Sequence, residues 1–138
     1  LALALAEHRR VCVIAKRDLA ESNTLYAQGG VSAVMDAGDT LESHLEDTLR
    51  AGAGLCHPDV VQHMVRHGRD RIEWLVAQGV PFTTVAGENG ATEVHLTQEG
   101  GHSRRRVVHA DDATGQAIES ALLARARAHP GIDLREQH

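Results

Sequence analysis

An α/β architecture built on a parallel sheet follows from three features of this 138-residue chain. A helical opening runs straight into a β-branched strand, amphipathic helical segments alternate with short apolar runs, and an alternating segment follows the last helix. Leu1 to Ala6 is the apolar end of a helix. Val11-Cys12-Val13-Ile14-Ala15 is a continuous run bounded by charge, the pattern of a buried parallel strand, with Cys12 as a small core residue. Polar residues follow up to Gln28-Gly29-Gly30, and Val31 to Met35 reads as a second short strand. Asp39 and Glu42 form a capping box for a helix carrying Leu41, Leu45, Thr48 and Leu49 at helical spacing and stopping at Gly52.

Pro58 at a first helical position opens a longer helix, with Val61, Met64, Val65, Ile72, Leu75 and Val76 on its packing face and Gly79 as its stop. Phe82 to Val85 and Thr92 to Leu96 flank Glu88-Asn89-Gly90, the turn chemistry of a β-hairpin. Residues 98–106 are a polar loop. Asp111 and Asp112 then cap a helix with Ala117, Ile118, Ala121 and Leu122 on one face, ended by Pro130-Gly131. Ile132 to Glu136 alternates like a strand. Both ends read as cut, so the 138 residues are expected to be a piece of a single domain.

Composition removes several classes of function. Hydrophobic residues at 42% and charged residues at 24% describe a folded, soluble domain. A net charge of -5 leaves no diffuse basic surface for nucleic acid, and one Tyr, one Trp and one Phe cannot build a base-stacking platform. Six apolar residues are too few for a membrane span, and the basic residues after them lie on the wrong side for a secretory signal. Cys12 and Cys56 are no disulfide framework, which points to a reducing, cytoplasmic setting.

Four constellations carry chemistry. In the stretch Ser22 to Gly30, Ser22 or Asn23 can cap a short helix whose free amides face a phosphate, and Gly29 and Gly30 let backbone approach a flat ring; an ordinary tight loop has the same spacing. Gln98 to Arg106 sets one carboxylate, Glu99, beside two glycines and three arginines, which suits an acidic substrate bearing an amine and equally suits a solvated charge run. His63 and His67 stand at i, i+4 on a helix, and with His57 they fit its polar face better than a metal site, so no metal ligand is assigned. Last, Gly115 in the first turn after Asp111-Asp112 leaves backbone amides open to a ligand.

In this order the segments resemble the L-aspartate oxidase family, part of the flavoprotein superfamily that includes the succinate dehydrogenase and fumarate reductase flavin subunits. The matching segments are Val13 to Lys16, Asn23 to Val31, Ser43 to Leu49, Ala51 to Gly54, His95 to Ser103 and Ala110 to Gly115, spread over nearly the whole chain. The resemblance implies a partial Rossmann-like FAD-binding domain lacking its first strand and glycine-rich fingerprint, with a β-hairpin insertion. Lys16 is implied beside the adenosine ribose. Asn23, Thr24, Leu25, Tyr26, Ala27, Gln28, Gly29 and Gly30 are implied along the pyrophosphate, ribityl chain and flavin ring, and Glu99 at the substrate amine as the catalytic-site carboxylate. FAD is implied to be non-covalent, since Asn23 stands where covalent relatives carry histidine.

The implied reaction is oxidation of L-aspartate to iminoaspartate, with dioxygen or fumarate as acceptor, in the synthesis of NAD. Hand-over of iminoaspartate to quinolinate synthase is implied as well, and the general base and the carboxylate ligands belong to later family segments. Two alternatives remain at this point: a fumarate reductase or succinate dehydrogenase flavin subunit, whose substrates carry no amine for Glu99, and a non-enzymatic, histidine-decorated α/β binding domain.

Overall fold

The computed structural model describes residues 1–87 and 90–138, and its elements run α1 (Ala2–Ala6), β1 (Val11–Ile14), β2 (Val31–Ser32), α2 (Leu41–Ala51), α3 (Pro58–Ala77), β3 (Thr84–Ala86), β4 (Thr92–Val94), β5 (Leu96–Thr97), β6 (Val107–Val108), α4 (Thr114–Ala128) and β7 (Ile132–Arg135). Strands β1 and β7 pair in parallel, with Val11 opposite Ile132 and Ile14 opposite Arg135. The first and last strands of the chain are thus neighbours, joined through the layer that α1 and α4 pack against them. Only one face of the pair is covered. Val11 and Val13 are half-buried, whereas Ile14 is 64% exposed and Cys12 is exposed as well. The expected buried Cys12 is therefore wrong: period-2 alternation turns its thiol to the open face.

A second sheet has the order β2-β6-β5, antiparallel throughout, with Val31 and Leu96 both opposite Val108. Here β2 ends at Ser32 rather than Met35, opposite the first residue of β6, Val107; beyond it the buried Ala33, 1% exposed, adds one bond from its amide to the Arg106 carbonyl. The core gathers around it: Ala33, Ile72, Val80, Phe82, Val108 and Ala110 form one buried cluster, with Leu75, Leu96, Ala117 and Ile118 packed against it. Helix α3 lies close over this sheet at Gly68, where an added Cβ would come 3.3 Å from the Ala33 Cβ. Val65 and Ile72 face inward as the periodicity predicts, but Met64 and Val76, at 67% and 48% exposure, do not. Each lies one position beyond the buried stripe.

Strands β3 and β4 pair antiparallel from Thr84–Val94 to Ala86–Thr92. The expected turn residues Glu88 and Asn89 lie outside the described residues. Helix α3 starts with Pro58 after His57, and Gly79, at φ +91°, follows its end. Two expected caps are corrected. Thr40, not Asp39, caps α2 by accepting a hydrogen bond from the Ser43 amide. Helix α4 starts after Ala113 with no side-chain cap, while Asp111 sits at φ +43° in the preceding turn. Asp39 accepts instead from Arg106, and Asp111 from the Thr83 hydroxyl.

Candidate cofactor and substrate site

The stretch from Ser22 into β2 is a turn with no helix in it. Ser22 Oγ accepts from the Thr24 and Leu25 amides at 3.1 and 3.3 Å and donates to Glu119 on α4 at 2.8 Å, so Ser22 caps the turn and Asn23 does not. The Ala27 carbonyl accepts from the Gly115 amide at 2.9 Å, which ties the turn to the start of α4. A Cβ at Gly115 would collide with the Thr24 carbonyl and lie 2.7 Å from the Ala27 carbonyl. The open amide expected at Gly115 is therefore already used; the glycine is there so that turn and helix can touch.

Fixed at both ends, the stretch leaves most of its residues outward. Asn23, Thr24, Tyr26, Ala27, Gln28 and Gly29 are exposed, with Tyr26 at 65%, and Leu25 is half-buried. The two glycines differ. A Cβ at Gly29 would meet nothing within 4 Å, whereas one at Gly30 would run into Val107 Cγ1 and the Val108 carbonyl. Gly30 serves the contact with β6, and Gly29 alone leaves backbone bare beside open space. The Tyr26 hydroxyl donates to Glu21 at 3.0 Å, a bond to a carboxylate that raises the phenol's pKa. Lys16 is exposed just past the carboxyl end of β1, the end at which open parallel sheets take ligands.

Loop 98–106 connects β5 to β6. Its Glu99 is exposed, and the carboxylate makes no hydrogen bond or ion pair among the described residues. The three arginines after it do not act as one patch. Arg104 is exposed, Arg105 Nε donates to the Leu96 carbonyl at 3.0 Å, and Arg106 is 0% exposed. Arg106 forks onto Asp39 through Nε and Nη2, both at 2.7 Å, and reaches Asp47 through Nη1 at 2.7 Å. A buried guanidinium is tolerable only when its donors are so matched. Asp47 Oδ2 also accepts from the Ser103 amide at 2.7 Å and the Ser103 hydroxyl at 2.6 Å, and its other oxygen pairs with Arg50. The Ser103 bonds, then the Arg106 cation, hold the Asp47 carboxyl well below the usual carboxylate range against the opposing effect of burial.

The buried ion cluster is what sequence reading missed, having assigned Asp39 to a cap and Arg106 to a solvated run. The one local signal was Arg106 directly preceding the apolar pair Val107-Val108. Beside the cluster, the rings of His44 and His102 lie 5.8 Å apart, each with a buried Nδ1 that has no hydrogen-bond partner among the described residues. Burial first, then Arg106 and His102, lowers the His44 pKa. The small sheet separates the two candidate regions: Gly30 leads into β2 at the Val108 end of β6, and loop 98–106 sits at its Val107 end. Each strand is two residues long, so the regions occupy opposite ends of one short platform. No group of three or more metal-ligating side chains occurs among the described residues.

Residues 1–138 match the model of the FAD binding domain family, and the chain belongs to that family. Its cofactor is FAD, and the bare Gly29 backbone beside open space fits a flat ring system. More specifically, the sequence is similar to L-aspartate oxidases: 55% identical over 99% of the chain to that of Pseudomonas aeruginosa and 51% over its full length to L-aspartate oxidase 1 of Ralstonia nicotianae. The chain spans about a quarter, 26%, of the length of these relatives. Among solved structures it resembles a quinol fumarate reductase with menaquinol molecules (TM-score 0.85, 28% identity, 99% of this chain and 24% of the other) and E. coli quinol fumarate reductase (0.83, 29%, 96% and 23%). No helix among the described residues is long and apolar enough to cross a membrane.

Proposed function

We propose that the chain is part of the FAD-binding domain of an L-aspartate oxidase, working in the cytoplasm at the entry to NAD synthesis and passing iminoaspartate to quinolinate synthase. The observation that carries the reading is the 55% identity with L-aspartate oxidase across 99% of the chain, which takes in Glu99 and its loop. Lys16 sits by the adenosine ribose, and Asn23 to Gly30 run along the rest of the cofactor, with Gly29 as the residue whose missing side chain admits the ring. When bound, FAD accepts the hydride from the substrate Cα and delivers the electrons to dioxygen or fumarate.

The chain's own contribution on the substrate side is Glu99. A dicarboxylic amino acid brings an ammonium out of water, and leaving that charge unpaired costs several kcal/mol. Among the described residues the Glu99 carboxylate has no partner of its own to give up, and it sits on a loop whose Gly101, at φ +86°, lets the chain turn back sharply. Fumarate and succinate carry no ammonium, so Glu99 separates aspartate oxidation from the chemistry of the fumarate reductase relatives.

In the intact enzyme, Glu99→Gln keeps size and one acceptor but removes the charge. Loss of about 3 kcal/mol of ionic pairing lowers kcat/KM for L-aspartate on the order of 100-fold, and fumarate reduction is spared. An equal fall in both activities makes Glu99 structural and removes the ammonium role. FAD is held non-covalently, since Asn23 has no imidazole to bond it. Acid precipitation releases the flavin to the supernatant, and colour retained in the pellet contradicts this.

A further inference from the structure

Glu99 has no contact that fixes its direction, yet the loop around it is tightly held. The neck of the loop is closed by the Arg106 amide donating to the Thr97 carbonyl at 3.1 Å. Its tip is closed by Gln98 Nε2 donating to the His102 carbonyl at 2.9 Å and the His102 amide donating to the Glu99 carbonyl at 3.2 Å. Between tip and neck, Arg105 Nε holds the loop to the Leu96 carbonyl, and Ser103 links it to α2, its amide and hydroxyl both donating to Asp47 Oδ2. Asp47 is 2% exposed, belongs to α2 and is itself held by Arg106 and Arg50. A rigid helix thus reaches the glycine-flexible tip through the Asp47 carboxylate, with the Ser43 hydroxyl of the same helix 3.2 Å from the Ser103 hydroxyl.

We propose that Ser103 and Asp47 are positioning residues, which orient the Glu99 carboxylate toward a substrate ammonium by pinning the loop to α2. The inference rests on the amine-pairing reading of Glu99 and adds the device that aims it. Three residues, Gly100, Gly101 and His102, separate Glu99 from Ser103 and its link to α2. Freed from it, the tip samples directions in which the carboxylate misses the ammonium, and misplacement by about 1 Å is enough to cost up to 100-fold in rate. Of the two, Ser103 is the side chain to change. Replacing Asp47 leaves the buried Arg106 short of a partner and threatens folding, whereas Ser103→Ala removes one hydroxyl at the surface and keeps the amide bond.

The test is a double-mutant cycle in the intact, FAD-loaded enzyme with S103A, S103T, E99Q and E99Q/S103A. The readouts are the ratio of kcat/KM for L-aspartate oxidation to that for fumarate reduction, and Tm. The account expects S103A to lower the ratio about tenfold by raising KM for aspartate, S103T to restore it, and the double variant to match E99Q within about twofold. A general structural role for Ser103 lowers Tm and both activities with the ratio unchanged, which overturns the proposal. Additive losses in the double variant overturn it as well, because Ser103 then acts independently of Glu99. If E99Q itself leaves the ratio unchanged, the amine-pairing reading fails; if E99Q shifts the ratio and S103A does not, that reading stands and the positioning role falls.

Discussion

The stretch from Ser22 to Gly30 and the cluster around Arg106 are built on opposite rules. The cluster is interior: Arg106, Asp39, Asp47 and His44 are all under 9% exposed, and each donor of the guanidinium that points at a carboxylate is matched to it within 3 Å. The stretch is exterior: it is fastened through Ser22, Ala27 and Gly30, and apart from the half-buried Leu25 the residues between the fastenings are exposed. Where polar groups satisfy one another they make scaffold. Where the backbone is held but its faces are left bare, as at Gly29, it makes a surface for something else to complete.

The contrast breaks most readily at the cluster. Arg106→Met leaves two buried carboxylates facing an apolar side chain, and removing one partner of a buried ion pair costs about 3–5 kcal/mol. The intact protein carrying it should lose most of its soluble yield or unfold at a markedly lower Tm. A variant as stable as wild type would show the cluster to be dispensable.

The glycine pair offers a sharper cut. Gly30→Ala drives a methyl into Val107 and the Val108 carbonyl and destabilises the protein by about 1–3 kcal/mol, as overpacking does. Gly29→Ala meets open space, so it leaves Tm of the FAD-free protein unchanged and weakens FAD binding about tenfold or more. Equilibrium dialysis against FAD, beside thermal melts of the FAD-free protein, separates the two. Equal behaviour of both variants erases the distinction between scaffold and surface.

The smallest effect is on pH dependence. His44 has its pKa lowered by burial, so the unfolded state takes up a proton near the ordinary value of about 6.5 that the folded state resists. The stability His44 contributes is present above that pH and is lost as pH falls through the folded value. Asp47, whose pKa is depressed, adds a second loss at lower pH, below the unfolded carboxylate value of about 3.9. His44→Gln should flatten the decline in Tm between pH 7.5 and pH 5.5. An unchanged slope assigns the decline to other groups.

Much of this was legible in the sequence, and the failures share a cause. Periodicity found the helices and paired strands because burial of one face repeats along the chain, as with Val65 and Ile72 on α3. Motif chemistry singled out the stretch from Ser22 to Gly30 and Glu99 because each pattern is local, and the structure leaves most of that stretch and Glu99 exposed. The same chemistry misread Asp39, Arg106 and Gly115, each of which is decided by a partner far along the chain: Arg106 meets Asp39 across 67 positions, and Gly115 meets Ala27. A capping box and an Asp aimed at a distant guanidinium look alike over four residues. The exposed Cys12 shows the same limit, since a run of apolar letters does not say how many faces of the sheet are covered.

The central claim is that the outward stretch and the free Glu99 serve FAD-dependent oxidation of an amino dicarboxylate. It is met most directly by mixing the intact, FAD-loaded protein with L-aspartate, and separately with succinate, in the absence of oxygen while following the visible absorption of the flavin. The account predicts that L-aspartate bleaches the flavin and that fumarate then restores its colour, with succinate bleaching it far more slowly. Bleaching by succinate and none by L-aspartate would contradict the account and place the protein with the fumarate reductase relatives.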